Sequence, residues 1–321
     1  MKTTVIKSTA LALLVLFALV TSCISSQSFI PVKGHGTSID KSFTVSDFHG
    51  IEVSNGFDVT LVQGDAEGLT LTAQENLFEY IIVKVDQGIL KIYSDENMMA
   101  TQPLKARITF KNIDNLRVSG GGDVFGETTI DVNALGIQIS GGGDLSSNIN
   151  TGELDCRISG GGNAKINGRI GTYKLDLTGG GDVQSEVAAT SLNCTISGGG
   201  NFTFRGKEKA TDATIAISGG GDLSVDLDLG KMNCSVSGGG NATLKGSATS
   251  LEIEINGGGD IDAAIFTTTT ASFNASGGSD IHVNATKELT GQISGGGDVY
   301  YSGSPEIVNI DARGGSEIHK Q

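Results

Sequence analysis

A glycine triplet recurs through most of the chain at nearly constant spacing. Successive triplets start 18 to 21 residues apart, a period that indicates stacked structural units whose small insertions fall in turns. The same 48 glycines in random order would be typical of a flexible or disordered chain, and the regular spacing excludes that interpretation. Gly-Gly-Ser replaces Gly-Gly-Gly at Gly277 and Gly314. The nine Gly-Gly-Gly triplets start at Gly120, Gly141, Gly160, Gly179, Gly198, Gly219, Gly238, Gly257 and Gly295.

Polar and apolar residues alternate on both sides of each triplet. Before the triplet at Gly198, for example, Leu192, Cys194 and Ile196 are apolar and the residues between them are polar. A period of two is the signature of a half-buried β-strand. Stacking the repeats, with strands about 4.8 Å apart, would give the apolar positions one shared interior. The sequence therefore predicts an all-β fold, a parallel β-helix with about 19–20 residues per repeat.

The residue after each triplet forms a second repeating position, which we name the corner column. Glycine tolerates positive φ and close backbone approach, so we expect a tight corner in which the glycines, including the middle glycine Gly199, hold positive φ. Asp and Asn favour such corners because their side chains bond their own backbone, and we predict that role here. Glu317 ends the column. Its other members are Asp123, Asp144, Asn163, Asp182, Asn201, Asp222, Asn241, Asp260, Asp280 and Asp298.

Two lengths of solenoid coil fit this spacing. Asn163, Asn201 and Asn241 alternate with Asp along the middle of the corner column. One repeat per coil stacks each Asn between two Asp residues, and the amide separates like charges. Two repeats per coil would stack Asp on Asp about 5 Å apart, which is destabilising unless a cation lies between them. The sequence favours one repeat per coil and leaves two repeats open.

Three cysteines share one position in the repeat. Cys156, Cys194 and Cys234 each lie seven residues before the corner residue, in the Asn repeats only. The same position is apolar in neighbouring repeats, so the thiols are expected to lie in the core as small hydrophobic groups. With one repeat per coil they would be about 9.6 Å apart, and a disulfide needs Cα atoms within about 7 Å. We therefore predict three free, buried thiols.

The first residues have the pattern of an exported protein. Two lysines precede an apolar run over residues 10–20, which is too short to span a bilayer as a helix and has the length of a signal-peptide core. A small residue then precedes Cys23, and this arrangement resembles the lipobox of bacterial lipoproteins. The resemblance implies a signal peptide over residues 1–22, a lipid on Cys23, a tether over residues 23–38, and anchoring as an outer membrane lipoprotein.

Residues 39–118 lack the glycine triplet but contain several strand-like runs separated by turn signals. The end of a solenoid must differ from its interior, because an open end exposes apolar surface and unpaired strand edges. We predict that this N-terminal β segment starts the solenoid and caps it. Residues 119–321 are then the repeat solenoid itself.

Three runs in the N-terminal β segment resemble a known family. They are Phe-His-Gly-Ile-Glu-Val from Phe48, Val-Thr-Leu-Val-Gln-Gly from Val59, and Gly-Ile-Leu-Lys-Ile from Gly88. Followed by serial Ser-Gly-Gly-Gly-Asp repeats, they resemble the putative auto-transporter adhesin, head GIN domain family. The resemblance implies a right-handed β-helix, an envelope lipoprotein of Bacteroides-like bacteria and a role in adhesion, and it supplies no catalytic residues.

Charge and motifs narrow the class of function. The net charge is −14 without a basic cluster, which argues against nucleic acid as a partner because phosphate contacts need Lys and Arg. The corner column lacks the nine-residue period of calcium-binding repeats, and no nucleophile motif, phosphate loop or zinc-ligand spacing is present. We therefore expect neither a metal nor a cofactor.

The leading hypothesis is a non-catalytic cell-envelope lipoprotein, facing the periplasm or the cell exterior. Its β-helix would offer a binding surface to a protein, a glycan or another copy. The alternative is a polysaccharide-active, pectin lyase-like β-helix enzyme. A groove lined by three or more acids and an Arg or Lys would favour the enzyme, whereas a flat face of Ser, Thr and Asn would favour binding.

Overall fold

The computed structural model describes residues 31–321. Within this range the chain forms 24 β-strands and one short 3₁₀ helix, and it contains no α-helix. The all-β prediction is confirmed. The predicted signal peptide, the predicted lipid attachment at Cys23 and the first half of the predicted tether lie outside the described residues.

The strands divide into an N-terminal group and a repeat group. The N-terminal group comprises β1 (Val32–Lys33), β2 (Ser38–Phe43), β3 (Gly50–Val53), β4 (Asp58–Gln63), β5 (Gly68–Gln74), the 3₁₀ helix η1 (Glu75–Glu79), β6 (Ile81–Asp86), β7 (Ile89–Ser94), β8 (Met98–Met99) and β9 (Lys105–Phe110). The repeat group comprises β10 (Asn115–Gly120), β11 (Val124–Gly126), β12 (Ile130–Gly141), β13 (Leu145–Gly160), β14 (Ala164–Gly179), β15 (Val183–Gly198), β16 (Phe202–Gly206), β17 (Ala210–Gly219), β18 (Leu223–Gly238), β19 (Ala242–Gly257), β20 (Ile261–Gly277), β21 (Ile281–Gly295), β22 (Val299–Gly303), β23 (Ile307–Gly314) and β24 (Ile318–Lys320).

Each repeat pairs in parallel with the equivalent residues of the next repeat. Gly120 lies beside Gly141, and Gly141 lies beside Gly160. The same register continues along the repeat group and gives a β-solenoid of about 11 coils. One repeat therefore forms one coil, as the electrostatic argument favoured, and two repeats per coil are excluded.

The alternating apolar residues point into the solenoid and form one continuous core. Leu192, Cys194 and Ile196 are all buried, as are their equivalents in neighbouring coils. The largest side chains meet in the middle coils, where the ring centroid of Tyr173 lies 6.4 Å from those of Phe202 and Phe204. Burial of these columns against one another is what stabilises the stack, since no single repeat could enclose its own apolar face.

The three glycines of a corner have different tasks. The first holds positive φ, +127° at Gly198. The third meets the backbone of the preceding coil, and a Cβ added at Gly200 would lie 2.4 Å from the carbonyl oxygen of Gly181. A Cβ at the middle glycine, Gly199, would have nothing within 4 Å. The prediction that Gly199 holds positive φ is wrong, because the first glycine makes the left-handed turn and the middle one faces solvent.

The N-terminal group adds two coils to the stack and then closes it. Strands β3 and β4 pair in parallel with β10 and β11, and β7 and β9 pair in parallel with β3 and β4. Antiparallel strands follow: β6 on β7, β5 on β9, and β2 on β5. The change from parallel to antiparallel pairing ends the coiling, which is the geometry expected of a capped end.

Candidate functional site

The corner column forms a ladder of hydrogen bonds between coils. The backbone N–H of Asp144 donates to Oδ1 of Asp123 at 2.9 Å, and that of Asn163 donates to Oδ1 of Asp144 at 2.7 Å. The same bond recurs at every step to Glu317. The prediction that these side chains bond their own backbone is wrong, because each accepts a bond from the next coil.

Asp58 begins this ladder, since its carboxylate accepts the backbone N–H of Asp123 at 3.2 Å. The repeat pattern does not identify Asp58, because no glycine triplet precedes this residue. The available signal was the Asn55–Gly56 pair, a turn dipeptide in which both residues hold positive φ. The ladder is therefore common to the N-terminal group and the repeats.

Each asparagine of the ladder makes a second bond. Its Nδ2 donates to Oδ1 of the preceding aspartate, at 3.1 Å for Asn163, 2.9 Å for Asn201 and 3.1 Å for Asn241. The amide thus separates two carboxylates and bonds one of them. Four acids follow the last asparagine without such an amide: Asp260, Asp280, Asp298 and Glu317.

Replacing one of these acids with an amide should stabilise the fold. Asp280→Asn keeps the acceptor for the N–H of Asp298, can donate to Asp260, and removes like-charge repulsion on both sides. We expect a gain of about 0.5–1 kcal/mol in the free energy of unfolding, measured by urea denaturation. The matched control, Asn201→Asp, should lose a similar amount, and a stabilising Asn201→Asp would contradict this account.

The three thiols lie in the core and are separated by aliphatic side chains. Leu175 lies between Cys156 and Cys194, and Ile215 lies between Cys194 and Cys234. All three cysteines are buried and unpaired. Burial raises the pKa of Cys156 and of Cys234 to about 12, and burial also raises the pKa of Cys194. Raised pKa values and exclusion of solvent make these thiols unreactive in the folded state.

We predict that Cys156, Cys194 and Cys234 alkylate only after unfolding. In the folded protein at pH 8, iodoacetamide should modify them at least tenfold more slowly than an exposed thiol. In denaturant without reductant all three should react, as counted by mass spectrometry. Recovery of a single reactive thiol would show that the other two had formed a disulfide, which the intervening Leu175 and Ile215 forbid.

The strand segments before the glycine corners form one outward surface, which we name the groove face. Its two central rows lie eight and six residues before the corner residue and continue onto β3, β7 and β6. Row one is Asp86, Ile89, Gly50, Asn115, Gly136, Asp155, Lys174, Asn193, Thr214, Asn233, Glu252, Ser272, Thr290 and Asn309. Row two is Lys84, Lys91, Glu52, Arg117, Gln138, Arg157, Asp176, Thr195, Ala216, Ser235, Glu254, Asn274, Gln292 and Asp311.

Five surface grooves lie on the groove face. The two largest have volumes of ≈ 590 and ≈ 600 Å³, and both run along the solenoid between the two rows. Smaller grooves of ≈ 460, ≈ 330 and ≈ 180 Å³ lie elsewhere on the same face. From Asn193 to Ser235 both rows contain only Asn, Thr, Ser and Ala. The centre of this face is therefore an uncharged, hydrogen-bonding surface.

An aromatic stack lies on a different face, two residues after the corner. The ring of Tyr300 stacks between His282, at 4.6 Å, and His319, at 4.9 Å. Partial burial and the neighbouring carboxylates of Asp298 and Asp280 raise the pKa of Tyr300. The intervening ring keeps the two histidines apart, and within residues 31–321 no group of three or more His, Cys, Asp or Glu side chains is placed to hold a metal ion.

The model for the putative auto-transporter adhesin, head GIN domain matches residues 47–214 and 195–305. The chain belongs to this family. The two matches overlap and together cover β3 to β22, which is most of the N-terminal group and most of the glycine repeats.

Alignments with solved structures cover most of this chain. A putative lipid binding protein from Parabacteroides distasonis is 22% identical, with 91% of this chain and 99% of that chain covered and a TM-score of 0.40. A putative adhesin from Parabacteroides merdae is 18% identical, with 90% and 98% covered and a TM-score of 0.39. One from Bacteroides fragilis is 18% identical, with 90% and 100% covered and a TM-score of 0.34. No curated protein matches the chain.

Proposed function

We propose that this member of the family is a non-catalytic envelope lipoprotein, an adhesin that binds its partner through the groove face. The observation that carries the proposal is the position of the five grooves on one face, around a centre of Asn, Thr and Ser side chains. Such side chains donate and accept hydrogen bonds without the desolvation cost of a charge. This surface suits a hydroxyl-rich or peptide partner better than an apolar one.

The geometry favours binding over polysaccharide cleavage. A lyase-like site would bring three or more acids and a base into one groove, and each of the five grooves contains at most two acids. The groove with both Glu252 and Glu254 contains no base. Glu252 also lines a smaller groove together with Lys231. There the two side chains form an ion pair, with Lys231 Nζ 3.3 Å from Glu252 Oε2.

Substitutions on the groove face test the binding role. Asn233→Arg and Ser235→Arg place bulky charges at two half-buried positions of the uncharged stretch. The matched controls, Thr203→Arg and Ser224→Arg, lie two residues after the corner on the other side of the coil. We expect only the first pair to reduce retention on immobilised glycans, immobilised extracellular proteins or the immobilised protein itself, by tenfold or more. Equal loss in both pairs, or no retention of the wild type on any surface, would contradict the proposal.

Anchoring would come from the lipid on Cys23, and the groove face would stand in the periplasm or outside the cell. Among the described residues, no helix has the length and apolar character needed to cross a membrane. Residues 24–28, just after Cys23, carry no charge. The mature protein would be held at the outer membrane by its N-terminal lipid.

Removing the attachment thiol should abolish anchoring. Cys23→Ala is expected to release the protein into the soluble fraction or to leave an uncleaved precursor, because no sulfur remains for the lipid. Metabolic labelling with a clickable fatty acid measures this directly. Cys234→Ala is the matched control and should keep the label, and equal labelling of both variants would contradict the lipoprotein assignment.

A further inference from the structure

Charge is distributed unevenly along the two central rows of the groove face. The first seven positions of the rows, up to Lys174 and Asp176, contain all five bases and four acids, a net charge of +1. The last seven positions contain three acids and no base, a net charge of −3. The chain as a whole is acidic, with a net charge of −14. The slightly positive first half of this face is therefore electrostatically complementary to its acidic second half.

We propose that the groove face binds the groove face of a second copy in antiparallel orientation. The inference rests on the proposed function and names the partner. The two-fold axis runs parallel to the strands, between Asp176 on β14 and Thr195 on β15, which is the centre of the 14 strands that form the face. Such an axis keeps each row facing itself and reverses the order of the coils.

This register brings opposite charges together. Arg117 faces Glu254 of the other copy, and Lys84 faces Asp311 of the other copy, each twice by symmetry. Asp311 also forms an ion pair with Arg313 of its own chain at 2.6 Å, so the Arg117–Glu254 pair is the one that carries the register. Every other charged residue in the two rows faces an uncharged one, as Arg157 faces Ala216. The two central rows therefore contain no directly opposed like charges, although neither half of the face is uniformly charged.

Arg117 and Glu254 are available for this contact. Both are exposed, and within the described residues neither has an oppositely charged group within 4.0 Å. One like-charge encounter falls in the row ten residues before the corner, between Glu153 and Asp212. There Lys174 and Ser191 already bond the two carboxylates, at 3.2 and 2.8 Å.

The face is large enough for a stable contact between copies. Its 14 strands lie about 4.8 Å apart and span roughly 60 Å along the solenoid. Across each strand the face runs from ten to four residues before the corner residue, which is seven residues at about 3.3 Å each, or roughly 20 Å. The product, about 1,200 Å², exceeds the roughly 800 Å² that each partner buries in a standard interface. The contact lacks aromatic anchors, so its affinity depends on charge pairing and on the local concentration that membrane attachment supplies.

Charge reversal at Arg117 and Glu254 tests both the partner and the register. In sedimentation of the purified full chain at low salt, the wild type is expected to reach twice the monomer mass with increasing concentration. Arg117→Glu and Glu254→Arg should each raise the dimer Kd about tenfold, and the double variant should recover most of the wild-type affinity. In a parallel arrangement Arg117 would face Asn115, so only the antiparallel register predicts this rescue.

Lys165→Glu, an equal charge change on an exposed residue outside the groove face, is the matched control and should leave the dimer unchanged. Raising the salt concentration to about 1 M shortens the Debye length to about 3 Å and should weaken the wild-type dimer. A double variant no stronger than the single variants would overturn the inference, as would a wild type that remains monomeric at low salt. The proposed binding function would survive either result if Asn233→Arg still reduced retention on other surfaces.

Discussion

Gly200→Ala is expected to lower the free energy of unfolding by about 3 kcal/mol, whereas Gly199→Ala, one residue away, should change it by less than about 0.5 kcal/mol. The added methyl at position 200 would lie 2.4 Å from the carbonyl oxygen of Gly181 and 3.0 Å from Leu177. Relief of this contact requires a backbone shift, which parallel pairing on the other edge of each coil resists. At position 199 the methyl would point into open solvent.

Urea denaturation followed by circular dichroism measures both variants. Gly198→Ala adds a third case, because it combines positive φ of +127° with a contact of 2.6 Å to the oxygen of Gly179, and its loss should at least equal that of Gly200→Ala. The expected order of stability is Gly199→Ala above Gly200→Ala and Gly198→Ala. Equal loss at all three positions would mean that glycine acts through general backbone flexibility and not through the contact between coils.

The repeat solenoid could be predicted from sequence because its pairing partners can be found by counting. Once Gly120 and Gly141 are assigned to equivalent corners, every other register in the repeats follows, and so does the core. For example, Cys194 and Ile215 occupy equivalent positions in consecutive repeats, and they lie side by side in adjacent strands. A strict period thus supplies the long-range information that a single sequence normally lacks.

The N-terminal group could not be derived in the same way. Residues 50–53 lie between residues 89–92 and residues 115–118 in the stack, although they precede both in the chain. No repeat marks these strands as equivalent, and their order is set by packing between distant segments. The placement of Lys84 and Lys91 at the end of row two depends on this order, so the full groove face became visible only in the structure.

The hydrogen-bond partners of the corner side chains also could not be predicted from the sequence. An Asp after a glycine triplet is equally compatible with a bond to its own backbone and with a bond to the next coil. The choice depends on how far the next coil lies from the carboxylate, which is set by the parallel pairing of the strands on both sides of the corner. Because β14 pairs with β15 and β15 with β16 in parallel, the N–H of Asn201 comes within reach of Asp182.

The ladder makes Asn201→Ala the second substitution with a large expected effect. Alanine removes the acceptor for the backbone N–H of Asp222, which Asn201 Oδ1 accepts at 3.0 Å. It also removes the Nδ2 donor to Asp182. Water can replace the lost partners at this exposed corner, so each bond contributes about 0.5–1.5 kcal/mol, and we expect a loss of about 1–3 kcal/mol for the two bonds together. Thr203→Ala, an exposed change in the same coil, should cost less than about 0.5 kcal/mol.

Hydrogen exchange gives this prediction a signature that general destabilisation would not produce. In Asn201→Ala the amide of Asp222 should exchange faster by a larger factor than the amide of Leu223, which donates to the backbone oxygen of Asn241 and keeps that partner. Asn201→Asp retains the acceptor, so it should leave the Asp222 amide protected even as it weakens the ladder through repulsion with Asp182 and Asp222. Uniform loss of protection across the coil in Asn201→Ala, with no excess at Asp222, would show that the ladder bond does not hold the corner.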